Sequence, residues 1–144
     1  KSMKSNKLEI YLTRYSDTLI SLSDRTSLAK KLKADMFISL HCNHSENPNA
    51  KGVEVYVSNL KSETTRQSIV LGFALEKSLS QKIGLKSRGV KFGNFQVLRD
   101  TNGRASVLVE LGFLSQSDEE AYLTSEPAKL IIARLLYKSI IRNL

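Results

Sequence analysis

An α/β domain with a mostly parallel sheet and helices on both faces is the fold this chain predicts, and three observations carry that reading. Stretches that read as strands alternate with stretches that read as helices along the chain. The run Ser106-Val107-Leu108-Val109-Glu110-Leu111-Gly112-Phe113-Leu114 is nearly continuous in apolar residues, the mark of a strand covered on both sides. A second apolar run, Met36-Phe37-Ile38-Ser39-Leu40, stops abruptly at His41, Cys42, Asn43 and His44, as a buried strand does where it emerges at a sheet edge. In open α/β sheets the ligand crevice lies outside the carboxyl ends of the strands, so both runs deliver polar groups to the place where chemistry is done.

Taken in order, Lys1 to Lys7 is a polar lead-in that looks like the middle of a protein, and Leu8-Glu9-Ile10-Tyr11-Leu12-Thr13 alternates as a half-covered strand does. Arg14 and Asp17 open a loop. Ser21-Leu22-Ser23-Asp24 reads as a helix start with acidic charge in its first turn; Leu28, Ala29 and Leu32 then form an apolar stripe, and Lys30, Lys31 and Lys33 face water. The strand over 36–41 follows. Residues 47–52 carry turn chemistry, and Val53-Glu54-Val55-Tyr56-Val57 alternates with the three valines inward. Glu63 to Ile83 reads as a long amphipathic helix burying Ile69, Phe73 and Leu79, with Gly84 as its stop. Ser87 to Asn94 reads as loop, and Phe95-Gln96-Val97-Leu98-Arg99 as a short strand or extended segment. After the apolar run that ends at Leu114, Ser117-Asp118-Glu119-Glu120 caps a short helix. Pro127 suits the first turn of the last helix, whose Leu130, Ile131, Ala133, Leu135, Leu136 and Ile140 turn inward.

The 144 residues are about one domain's worth, enough to bury roughly 70% of the unfolded surface around one core. No apolar run approaches membrane-spanning length, and no signal peptide opens the chain. Lys plus Arg exceed Asp plus Glu by 22 to 14, a net charge of +8 that favours an anionic partner. Nucleic acid is disfavoured, because the lysines are dispersed, Trp is absent and no stacking motif appears. One cysteine excludes an internal disulfide framework and a multi-cysteine metal knot; Cys42, opposite His41 on its strand, reads as a small buried side chain.

Glu110 is the residue least at home in its surroundings. A carboxylate inside a run of Val and Leu is desolvated, and left ionised without a partner it costs several kcal/mol. Two readings remain open: a structural ion pair with Arg99 or Arg104, or a general acid or base whose pKa burial raises toward neutrality. His41 alone reads as a hydrogen-bonded structural histidine or as a ligand or catalyst. A His at one strand end and a Glu at another can converge on a single metal-bound water. His44 reads as an exposed loop histidine.

Leu12-Thr13-Arg14, Asp17, Leu22 and Arg25, then Ala34 to Asn43, Gly52 to Tyr56, Phe95 to Arg99 and Val107 to Ser115 resemble, in the right order, the zinc-dependent N-acetylmuramoyl-L-alanine amidases that cleave bacterial cell walls. That resemblance implies hydrolysis of the amide joining the lactyl group of N-acetylmuramic acid to the L-alanine of the stem peptide, at peptidoglycan outside the cytoplasm. In that family two His and one Glu hold zinc and a further Glu acts on the attacking water. Carried over by motif position, His41 is the last Zn2+ ligand and Glu110 the catalytic carboxylate. Asn43, which would orient His41 or substrate, and Arg99 are the substrate-contacting candidates.

The sequence departs from the family pattern at its start. An Asp-Pro-Gly-His-Gly-Gly type turn with the first zinc His, and a downstream Glu ligand, have no counterpart before Leu8. The expectation is therefore a single amidase domain, residues 1–144, lacking its N-terminal strand and helix and weak or inactive alone; a non-catalytic peptidoglycan-binding relative of the same fold is the alternative. Only Ser58 to Arg66 separates the Val53–Val57 strand from the next helix, with no room for the regulatory helix of some relatives, so an open site is expected.

Overall fold

The chain runs α1 (Leu22–Lys31), β1 (Met36–Asn43), β2 (Val53–Ser58), α2 (Thr65–Ile83), β3 (Ser87–Gly93), α3 (Gln96–Asp100), β4 (Ala105–Phe113), α4 (Ser117–Thr124) and α5 (Glu126–Ile141) in a computed structural model that describes residues 8–143. The four strands form one sheet in the order β1-β4-β2-β3. β1 pairs β4 in parallel and β2 pairs β3 in parallel, while the central β2–β4 seam is antiparallel. A parallel return needs a crossover of a dozen or more residues. The link over 94–104, holding only the five-residue α3, is too short for one, so β4 starts at the end where β3 stops.

Helices cover both faces, as expected. α2 packs on β2, β3 and β4, with α5 outside it. Val53, Val55, Val57, Val107 and Val109 meet Leu71, Leu75 and Leu79 in that core. On the other face a smaller cluster of Ala29, Phe37, Val97, Leu98 and Leu108 seats α1 and α3. Ser21 caps α1 by accepting a hydrogen bond from the Asp24 amide, and Gly84 closes α2 in the left-handed region at φ 82°.

Several expectations need correction. Leu8–Thr13 is not a strand: the segment lines a groove of about 450 Å³ beside α1 and β1 without joining the ladder, and Ile10 stays 60% exposed. Its alternation supplied an apolar side but no pairing. Ser87–Gly93 is strand β3 rather than loop, an edge strand whose charged residues and two glycines hide it. Gln96–Asp100 is helical rather than extended, a short apolar run fitting either form. Phe73 is 56% exposed and Leu130 61%, because α2 and α5 each bury a narrower stripe than their apolar content allows; Ile132 and Leu136 carry the α5 contact and Ile131 faces out. Cys42 is exposed, since β1 shifts register between His41 and Asn43 as it leaves the sheet. The reading of Lys1–Lys7 lies outside the described residues. No helix among the described residues is long and apolar enough to cross a membrane.

Candidate active site

One row of residues crosses the sheet at the carboxyl ends of β1 and β4, where β2 and β3 begin. His41 is the Cα partner of Glu110, and Glu110 is the Cα partner of Glu54 on β2. Arg88 and Lys91 on β3 complete the row through their contacts to Glu54. The alternation of side chains along a strand puts His41 with Ser39 and Phe37, Glu110 with Leu108, and Glu54 with Tyr56, all on the face that α1 and α3 cover further down the sheet.

Glu54 is the hub. It is 2% exposed, yet its carboxylate accepts hydrogen bonds from Asn43 Nδ2 at 3.0 Å, Tyr56 Oη at 2.9 Å, Arg88 Nε at 2.9 Å and the Lys91 ammonium. Burial alone pushes its pKa up, but the hydrogen bonds of Lys91, Arg88 and Tyr56 together outweigh that and hold it below the usual carboxylate range. The same pairing, added to burial, pushes the Tyr56 phenol up to about 12.

Glu110 stands in the opposite condition. Its Oε2 is buried with no hydrogen-bond partner, and no ion pair reaches it among the described residues. The ion-pair reading with Arg99 or Arg104 is thereby excluded: Arg99 Nη1 donates to the Asn94 carbonyl and side chain, and Arg104 Nη1 to the Ala29 and Ala34 carbonyls. Burial first, and the neighbouring Glu54 charge second, raise the Glu110 pKa. His41 is half-buried, its Nε2 2.7 Å from Ser39 Oγ; burial and the Arg25 charge lower its pKa, which keeps the ring neutral near pH 7. A neutral imidazole beside a carboxyl whose affinity for a proton is raised by burial is a pairing suited to proton transfer.

Asn43 turns toward Glu54 rather than His41, its Oδ1 accepting from the exposed His44 amide. Arg99 is exposed at the end of α3. The site's shape is fastened from behind by Glu119, 5% exposed, whose two oxygens accept from the Gly52 amide at 2.7 Å and the Phe113 amide at 2.8 Å. That clamp ties the end of β4 to the start of β2. Sequence reasoning missed Glu54, Arg88 and Lys91 as site residues. The available signal was a carboxylate alternating with three core valines, its own face covered by a second layer.

Among the described residues no three His, Cys, Asp or Glu side chains cluster to hold a metal, and residues 1–7 contain none of these types. A catalytic zinc needs three protein ligands. The residues present therefore do not fit a complete zinc centre by themselves.

The domain is thus a mixed α/β sheet that sets an imidazole and an unpaired carboxyl side by side at its strand ends. Residues 1–142 match the family model described as N-acetylmuramoyl-L-alanine amidase, and the chain belongs to that family. It is similar to the endolysin of Bacillus phage SPP1, 38% identical over 131 residues covering 88% of this chain and 47% of that protein. It is similar in structure to the catalytic domain of CwlV, N-acetylmuramoyl-L-alanine amidase from Bacillus (Paenibacillus) polymyxa var. colistinus, with TM-score 0.83 and 34% identity over 95% of this chain and 73% of that one. The N-acetylmuramoyl-L-alanine amidase from Clostridium difficile 630 gives TM-score 0.86 and 29% identity over 96% and 73%. The chain spans less than half the length of the curated relatives it matches, 47% of the phage endolysin and 43% of a Staphylococcus epidermidis probable cell wall amidase among them.

Proposed function

We propose that this chain carries the catalytic carboxyl of a peptidoglycan amidase that cleaves between N-acetylmuramic acid and the first L-alanine of the stem peptide, outside the cytoplasm. The observation that carries the reading is the register of His41 against Glu110, both on one face at the open end of the sheet, in a chain of this family. Glu110 takes a proton from the attacking water as its oxygen bonds the lactyl carbonyl carbon. It then gives that proton to the alanine nitrogen as the C–N bond breaks, so one group serves as base and then acid. Its raised pKa and unpartnered Oε2 suit that double duty.

His41 is the residue of this chain that would ligate a zinc ion, which would polarise the scissile carbonyl and its attacking water; His41 alone does not complete such a centre. Asn43 acts on substrate indirectly by holding Glu54, and Arg99, held by Asn94 just past the end of β3 and so away from the Glu110 row, serves as a more distant contact for the glycan or peptide. Residues 1–144 are then the larger part of an amidase domain, in line with the 73% share of the solved catalytic domain that they match.

The incomplete donor set favours one second reading, a peptidoglycan-binding relative without catalysis. Incubating the full-length polypeptide with purified peptidoglycan separates the two. Release of peptides with a new amino-terminal alanine supports the enzyme, whereas sedimentation with the wall and no release supports the binding module.

A further inference from the structure

This inference deepens the amidase reading and rests on it. Arg88 and Lys91 both contact the same oxygen of Glu54, so two cations share one carboxylate whose other oxygen is already taken by Asn43 and Tyr56. One positive charge is left over. Glu110 does not neutralise it, since no ion pair joins Glu110 to either cation among the described residues. Neither cation is saturated. An ammonium has three N–H donors and a guanidinium five, and among the described residues Arg88 otherwise uses only Nη1, on the Lys51 carbonyl.

Their side chains keep 30% and 40% exposure, so an incoming anion can reach them. Each is also stiffened by an aromatic ring, Phe113 lying 5.0 Å from the Arg88 guanidinium carbon and Tyr56 5.8 Å from the Lys91 nitrogen. A pre-positioned cation pair binds a planar carboxylate at small entropic cost.

The spacing matches a particular group on the substrate. Because both head groups sit on Glu54, they lie over β2, one strand from Glu110 and roughly 5 Å from it at the ~4.8 Å strand separation, more with the offset along the strand. In an extended stem peptide successive α-carbons are about 3.8 Å apart, which puts a carboxyl on the second stem residue roughly 7 Å from the scissile carbonyl. We propose that Arg88 and Lys91 form an anion subsite that selects peptidoglycan whose second stem residue bears a free α-carboxylate over peptidoglycan in which that group is an amide.

The test compares equilibrium binding of two synthetic ligands to the full-length polypeptide in the presence of a chelator, followed by calorimetry and by chemical shifts of labelled protein. The ligands are N-acetylmuramoyl-L-alanyl-γ-D-glutamyl-L-lysine and its α-amide. The free acid is expected to bind about tenfold more tightly, consistent with one charge-assisted hydrogen bond. Lys91→Gln should reduce that preference to about twofold and Lys91→Arg should retain it, given the same discrimination by charge. Equal affinity for the two ligands overturns the subsite, and this comparison needs only the unaltered chain. A preference that survives Lys91→Gln unchanged overturns it as well. Binding of neither ligand contradicts the amidase reading together with the subsite, whereas equal binding of both contradicts the subsite alone.

Discussion

Glu54 and Glu110 face each other as Cα partners across the antiparallel seam of the sheet, yet only Glu54 is neutralised. Two carboxylates one strand apart are thus given different tasks: one is fixed as a charge and anchors its neighbours, and the other is left unpaired and free to trade a proton.

The unpaired state costs stability. Replacing Glu110 by Gln removes an ionisable group whose buried Oε2 has no partner, so the variant should be more stable than the parent at pH 7, by about 1 kcal/mol. Thermal melts of the two proteins check this. The same substitution should cut peptidoglycan cleavage by the full-length polypeptide at least about 100-fold, since proton transfer contributes ~10²–10⁴. Higher stability with lost activity separates a functional residue from a structural one.

Glu54 predicts the opposite behaviour. Its carboxyl titrates lower in the folded protein than in the unfolded chain, so its ionisation stabilises the fold above the unfolded value of about 4.3 and that contribution fades as pH falls toward the native pKa. Melting temperature should therefore drop on acidification below about pH 5 more steeply in the parent than in Glu54→Gln. At pH 7 Glu54→Gln should be less stable by about 2 kcal/mol, a modest figure for a buried ion pair because Arg88 and Lys91 are partly exposed. Denaturant titrations at pH 7 and pH 3.5 measure both.

Gly52 is required by the backbone. It has φ 109°, and a Cβ there would stand 2.3 Å from the Lys86 carbonyl oxygen, which itself accepts the Val53 amide at 2.9 Å. Gly52→Ala should destabilise by about 2–3 kcal/mol and disturb the Glu119 clamp behind the site. Urea unfolding checks it.

The isolated 144-residue chain, with two His, one Cys and no cluster of three donors among its described residues, should retain well under one equivalent of zinc after loading and dialysis. One tightly held zinc per chain, measured by elemental analysis, would contradict this.

Much of this arrangement was readable from the residues. The apolar run ending in His41 and the carboxylate Glu110 inside a second apolar run named two strands and their common edge, and the valine alternation placed β2 with its inward face correct. Glu54 escaped because a polar residue opposite a core face reads as solvent-facing, and only the second layer of helices makes that side an interior. Strand β3, with Arg88 and Lys91, escaped because an edge strand needs little apolar content and its two glycines resemble a turn. The groove beside Leu8–Arg14 could not be foreseen, since alternation predicts a strand without naming its partner.

The most direct test is the mass and amino-terminal sequence of fragments released from purified peptidoglycan by the full-length polypeptide, with its Glu110→Ala variant alongside. The expected products are intact lactyl-bearing glycan and free stem peptides that begin with alanine, with neither released by the variant. Fragments with new reducing sugar ends, no newly exposed alanine amine, or undiminished release by Glu110→Ala would contradict the amidase reading.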